Sequence, residues 1–185
     1  DDGQPATWKI LIGALDASQN NWVELSIVPG VGLRLYYAST AGANHVQADT
    51  NVNPFVDGGN PWHHVIATVD NSAQQVTLYL NGAELALDST EDGDMSTNSV
   101  VMSTFGTIPG LSVGCRNNNG TMDGDFTGDI SKVRFFNKSL SATEIKELYS
   151  GASVPFKYKG GNQTELVTNG DGLAGVFTIG TTTNT

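Results

Sequence analysis

The sequence predicts an all-β fold, a sandwich of two antiparallel sheets with one short C-terminal helix. Three observations carry this. Apolar and polar residues alternate in several short runs, Gly, Asn, Ser and Pro break those runs at short intervals, and only one stretch carries helix signals. Composition agrees: 38% hydrophobic, 15% charged and 22 Gly among 185 residues suit a loop-rich β domain with a sizeable core rather than a bundle or a disordered chain.

In chain order, WKILIGAL (Trp8 to Leu15) is a strand of mixed pattern. NWVELSIV (Asn21 to Val28) alternates, with Trp22, Glu24 and Ser26 facing one way and Val23, Leu25 and Ile27 the other. Pro29-Gly30 turns the chain into LRLYY (Leu33 to Tyr37), making a hairpin. AGANHVQADTNVNPFVDGGN predicts one weak strand and a long loop. Trp62 to Asp70 and Gln75 to Leu80 form a second hairpin, and Asn81-Gly82 is a reverse turn because both residues tolerate positive φ. Glu84 to Leu87 continues beyond it. Asp88 to Ser99 is acidic and polar and predicts a loop; Val100 to Phe105 and Leu111 to Cys115 predict short strands. RNNNGTMDGD (Arg116 to Asp125) reads as a loop dense in side-chain oxygens, and Phe126 to Asn137 as a last strand with Ile130, Val133 and Phe135 inward. The helix follows: Ser141 caps it, Glu144 completes a capping box, Leu140, Ile145, Leu148 and Tyr149 form its apolar side, and Gly151 stops it.

Charge narrows the partners. With nine basic residues and a net charge of −10, the chain lacks the positive footprint that nucleic acid or anionic lipid requires. Neutral sugars, cations and other proteins remain. No apolar run approaches the roughly 20 residues of a bilayer span, so no membrane insertion is expected. Asp1 in place of Met predicts a processed piece or a fragment. Cys115, the single cysteine, cannot form an internal disulfide and reads as a small buried hydrophobe.

PWHH (Pro61 to His64) sets Trp62, His63 and His64 side by side in a chain with three histidines. Neighbours on a strand point to opposite faces, so His63 and His64 cannot hold one ion together, and no ligand spacing links them to His45.

Three segments together resemble one family. WHHVIATVD…VTLYLNGAEL, LSVGCRNNNG and FTGDISKVRFFNKSLSATEIKELYSG are similar, in this order, to the central hairpin, the late strand and loop, and the closing strand and helix of laminin-G-like, concanavalin A-like domains. The resemblance covers roughly Trp8 to Gly151 and implies a jelly roll of two curved antiparallel sheets. It also implies that His64 is a packed ring with one hydrogen bond beside Trp62. Two departures stand out: nothing before Trp8 matches the family's opening strand, and Ser131-Lys132 occupies the place of an acidic pair that would support calcium. Residues 1–154 are thus expected to form the sandwich. Residues 155–185 form a linker and either the start of a further β module, which TELVTNGD (Thr164 to Asp171) resembles, or a flexible tail.

Hydrolysis finds no support. The Glu-x-Asp-x-Glu strand of related glucanases is missing, and the acids of EDGD (Glu91 to Asp94) and DGDFTGD (Asp123 to Asp129) fall in Gly-bearing loops. No enzyme is expected, and a β-glucan hydrolase stands as a minor alternative. For sugar binding, Arg116, Asn117, Asn118, Asp123 and Asp125 supply hydrogen-bonding groups, with Trp22 or Tyr37 as the aromatic platform. For calcium, Asp57, Asn119, Asp123 and Asp125 supply oxygens, weighed against a solvated loop with no ion. The expectation is a non-catalytic adhesion or glycan-binding module of a larger virion-surface or secreted protein, able to form homo-oligomers. Its alternative is a purely structural module of a virus particle that touches only neighbouring proteins.

Overall fold

The computed structural model describes residues 7–15, 21–39, 44–55, 62–96, 111–118, 120–150, 165–168 and 177–180. Its strands are β1 (Lys9–Leu15), β2 (Trp22–Val28), β3 (Gly32–Ser39), β4 (Asn44–Thr50), β5 (Val65–Asp70), β6 (Gln75–Leu80), β7 (Ala83–Glu84), β8 (Leu87–Asp92), β9 (Ser112–Val113), β10 (Arg116–Asn118) and β11 (Thr121–Asp123). Helix α1 (Ala142–Ser150) follows, then β12 (Glu165–Thr168) and β13 (Phe177–Gly180), which pair with each other.

Two sheets make the sandwich. The eight-stranded sheet runs β11-β10-β1-β2-β3-β4-β8, with β9 also on β1, and the three-stranded sheet runs β5-β6-β7. Alternation decides what lies between them. Leu33, Leu35 and Tyr37 of β3 and Val46 and Ala48 of β4 meet Val76 and Leu78 of β6, with Phe55 and Met95 closing the edges and Val23, Leu25 and Ile27 packing alongside. Burial of these side chains, at roughly 1.5–3 kcal/mol each, is what holds the layers together. The opposite face of the small sheet is covered by α1, where Ile145 and Leu140 pack on Tyr79 and Ile66. The capping box forms as expected: Ser141 Oγ accepts from the Glu144 N–H at 3.3 Å, and Glu144 Oε2 accepts from the Ser141 N–H at 3.0 Å. The Asn81-Gly82 turn adopts φ of +51° and +78°, as its residues permit.

Four expectations change. Leu87–Asp92, expected as mostly loop, is a strand that pairs antiparallel with β4, carrying the chain from the small sheet to the large one. Arg116 to Asp125 is largely a hairpin, β10–β11, in which Arg116 stands opposite Asp123 and Asn118 opposite Thr121. β10 runs parallel to β1 because the chain reverses after the antiparallel β9, and it makes the one parallel pair among the described strands. Finally, Phe126 to Asn137 pairs with no strand among the described residues, with Phe135 70% exposed and Ile130 at the surface. Positions 130 and 133 also differ in parity, so a regular strand could not have turned both inward. Val100 to Phe105 lies outside the described residues. Among the described residues, no helix is long and apolar enough to cross a membrane.

His63 and His64 serve packing. His63 meets Phe55 edge-on at 5.3 Å and its Nδ1 lies 3.3 Å from Asn81 Nδ2, whereas His64 stacks on Tyr149 at 6.1 Å. The expected hydrogen bond of the His64 ring is not made at Nδ1, which is buried without a partner; burial, then the nearby Arg134, lowers its pKa. Trp62 is 67% exposed rather than a wall of the core.

Candidate functional site: the outer face of the large sheet

The side chains that alternate away from the core form a polar and aromatic face. On β2 these are Trp22, Glu24 and Ser26. The register sets Tyr36 opposite Glu24 and Arg34 opposite Ser26 on β3, then Asp49 opposite Arg34 and Gln47 opposite Tyr36 on β4. On the other side Gly13 stands opposite Glu24, and Arg116 opposite Gly13. Opposed residues share a face, so five strands contribute to one surface.

Its charges are arranged in two clamps. The Arg116 guanidinium donates to Asp123 from Nε at 2.9 Å and from Nη2 at 2.7 Å, and from Nη1 to Glu24 Oε2 at 3.2 Å. Trp22 Nε1 donates to the same Glu24 oxygen at 3.0 Å. Three strands away from β10, Arg34 donates to both Asp49 oxygens at 2.7 Å, and Gln47 donates to Asp49 at 2.9 Å. Such forked pairs fix the planar guanidinium in orientation as well as position. Gly13 makes the first clamp possible, since a Cβ there would stand 2.9 Å from Ile10 Cγ2 and 3.2 Å from Arg116 Cβ.

Glu24 has no exposed surface, and burial raises its pKa against the opposing pull of Ser26, Trp22, Arg116 and Arg34. Ser26 is near enough to favour the charged form, yet no hydrogen bond of good geometry reaches Glu24 Oε1. Burial would lower the Arg116 pKa, but Asp123 and Glu24 outweigh it and raise it. Both guanidinium groups therefore stay charged and already engaged.

An aromatic row crosses the strands beside the clamps. Trp8 and Trp22 stack with centroids 6.5 Å apart, Trp22 meets Tyr36 edge-on at 4.9 Å, and Tyr36 stacks on His45 at 5.4 Å. Arg116 lies 4.7 Å from the Trp22 centroid and 5.8 Å from that of Trp8, a cation–π contact that stiffens the row. A recess of about 390 Å³ opens at the β10–β11 edge, lined by Thr7, Trp8, Lys9, Ile10, Arg116, Asp123, Gly124 and Asp125. A second, of about 240 Å³, opens at the β4–β8 edge between His45, Gln47, Thr90, Glu91, Asp92 and Asp94.

Residues 2–146 match a laminin-G family of the concanavalin A-like lectin/glucanases superfamily. The chain belongs to that superfamily. Two solved structures share this concanavalin A-like fold at 19% identity. One is the CBM40 of the Ruminococcus gnavus IT-sialidase (TM-score 0.58; 77% of this chain, 74% of that one), and the other is the same module bound to α2,3-sialyllactose (TM-score 0.59; 80% and 78%). No curated protein sequence matches the chain.

In this concanavalin A-like domain the residues expected from sequence divide. Arg116, Asn118 and Asp123 share the outer face, and a long contact of 3.5 Å joins Asn118 Nδ2 to Asp123. Asn117 points the other way along β10, and its Oδ1 accepts the Gly120 N–H at 2.7 Å to close the hairpin turn. Asp125 lines the first recess. Asp57 and Asn119 lie outside the described residues. Trp22 belongs to the aromatic row, but Tyr37 is fully buried in the core, and its neighbour Tyr36 takes the place expected of it. Trp8, Glu24, Arg34, His45, Gln47 and Asp49 were missed. For those on β2, β3 and β4 the signal is a polar or aromatic residue at every second position, between apolar ones; Trp8 precedes β1 and carries no such signal.

The described oxygens do not form a calcium cage. Both Asp123 oxygens accept from Arg116, Asn117 Oδ1 is spent on the turn, and no group of three or more His, Cys, Asp or Glu that could hold a metal occurs among the described residues.

Proposed function

We propose that this chain is a non-catalytic glycan-binding module whose site is the outer face of the large sheet, centred on the recess beside Trp8, Arg116 and Asp123. The Arg116–Asp123–Glu24 clamp next to an aromatic row carries this reading. Sugar rings present hydroxyl groups on their edges and C–H patches on their faces, and fixed forked polar groups beside aromatic side chains match both. The sialyllactose-bound module of the same fold supports a glycan partner.

The state of the carboxylates supports a binding role. A glycosidase needs one carboxyl group free to move a proton and a second free to attack or to activate water. Here Glu24 is sealed beneath Trp22 and Arg116, and Asp49 and Asp123 are each held in a forked pair. They position neighbours and take no part in bond cleavage. A glycan array with the intact chain tests the proposal: wild type binds a defined set, and Asp123→Ala weakens that binding at least about tenfold, the scale of losing one charge-assisted hydrogen bond. Hydrolysis of a glycan by the pure protein would contradict it.

A structural role in a particle is the second reading, favoured by exposed apolar side chains at Leu111, Val113, Met122, Phe135 and Phe136. A module that binds no glycan and buries these residues against a neighbour or a second copy would establish it. For either reading we place the module on a virion surface or a secreted protein, consistent with its acidity and single cysteine. The pairing of β12 with β13 supports residues 155–185 as part of a further β module. A calcium role now rests on Asp57 and Asn119 joining Asp125, and predicts that a chelator lowers the melting temperature; an unchanged transition removes the ion from the account.

A further inference from the structure

We infer that the glycan this face takes is neutral, and that a sialylated glycan is disfavoured relative to its neutral counterpart. The inference rests on the glycan-binding reading and adds the charge class of the ligand. A sugar carboxylate needs an uncommitted guanidinium or ammonium group. Arg116 is committed to Asp123 and Glu24, and Arg34 to both Asp49 oxygens. Lys9 is the other cation among the described residues lining the first recess, but it stands opposite the core-facing Ile27 rather than on the outer face with Asp123 and Asp125. Glu24 adds a carboxylate directly beneath Arg116. Among its described lining residues the second recess has Glu91, Asp92 and Asp94 and no Lys or Arg. An anionic ligand would meet net negative charge at both ends of the face, within a chain of net charge −10.

A neutral pyranose meets no such opposition. Its hydroxyl groups donate to the Asp125 side of the recess, while its ring face approaches the Trp8 edge of the aromatic row. A neutral ligand also releases no counterions, so its affinity should hardly change with ionic strength.

The test uses the full chain and matched pairs, each neutral glycan beside the same glycan carrying terminal α2,3-linked sialic acid, by array and then by calorimetry at low and high salt. The neutral member should bind about tenfold tighter or better, with salt-independent affinity, and Asp125→Lys, at an exposed position, should narrow that gap. Equal or tighter binding of the sialylated member by wild type would overturn this inference alone. Absence of binding to every glycan would overturn the glycan-binding reading with it.

Discussion

Glu24 is a carboxylate with no exposed surface in the middle of the outer face, held by Trp22 and Arg116. Removing either partner would leave a buried charge poorly compensated, which in other proteins costs about 3–5 kcal/mol. Burial raises its pKa above the ordinary value of 4.5, so the folded chain keeps this proton to higher pH than the unfolded chain does. The folded state then binds more protons, and the stability owed to Glu24 falls as pH rises from 4.5 through the raised value. Glu144 acts with the opposite sign at lower pH. Hydrogen bonding from Lys138, then Ser141, holds it at about 2, so its contribution is present above 4.5 and is lost as pH falls from 4.5 toward 2. Urea unfolding across this range should show stability declining above 4.5, and Glu24→Gln should flatten that decline while leaving the acid limb in place. An unchanged profile in Glu24→Gln would contradict the burial argument.

At the scale of elements, the sandwich separates the site from its support. The β10–β11 hairpin delivers Arg116 and Asp123 to the outer face of the large sheet, whereas α1 packs on the far side of the small sheet through Ile145, which is fully buried. Ile145→Ala should therefore cost about 2–5 kcal/mol by loss of buried methylenes and the cavity left behind. It should not alter glycan affinity measured below the unfolding transition, and a parallel loss of affinity would show that the two sheets are coupled. Legibility in sequence also varies by element. The β2–β3 and β5–β6 hairpins and α1 are readable because alternation, a Pro-Gly turn in the first hairpin, an Asn71-Ser72 turn in the second and a capping box are local signals. β8 was not, since LDSTED reads as loop until β4 is present to pair with it. The hairpin at Arg116 was hidden by its Asn run, and the outer face needed the register between strands, which no single segment carries. Gly13 gives no hint in sequence that its missing side chain makes room for Arg116.

Across the whole molecule, one face of the large sheet is packed on the small sheet and the other carries clamps and aromatic row, with a recess at each edge. Trp8 and Trp22 lie on that outer face, and Trp62 lies outside both sheets ahead of β5 and is 67% exposed. These three tryptophans therefore act as built-in reporters. The most direct measurement is to follow their indole N–H resonances by NMR during titration with a neutral glycan selected on the array. Movement of the Trp8 and Trp22 signals with Trp62 unmoved is the predicted result. A titration that binds sugar yet shifts Trp62 alone would place the site elsewhere and contradict the account.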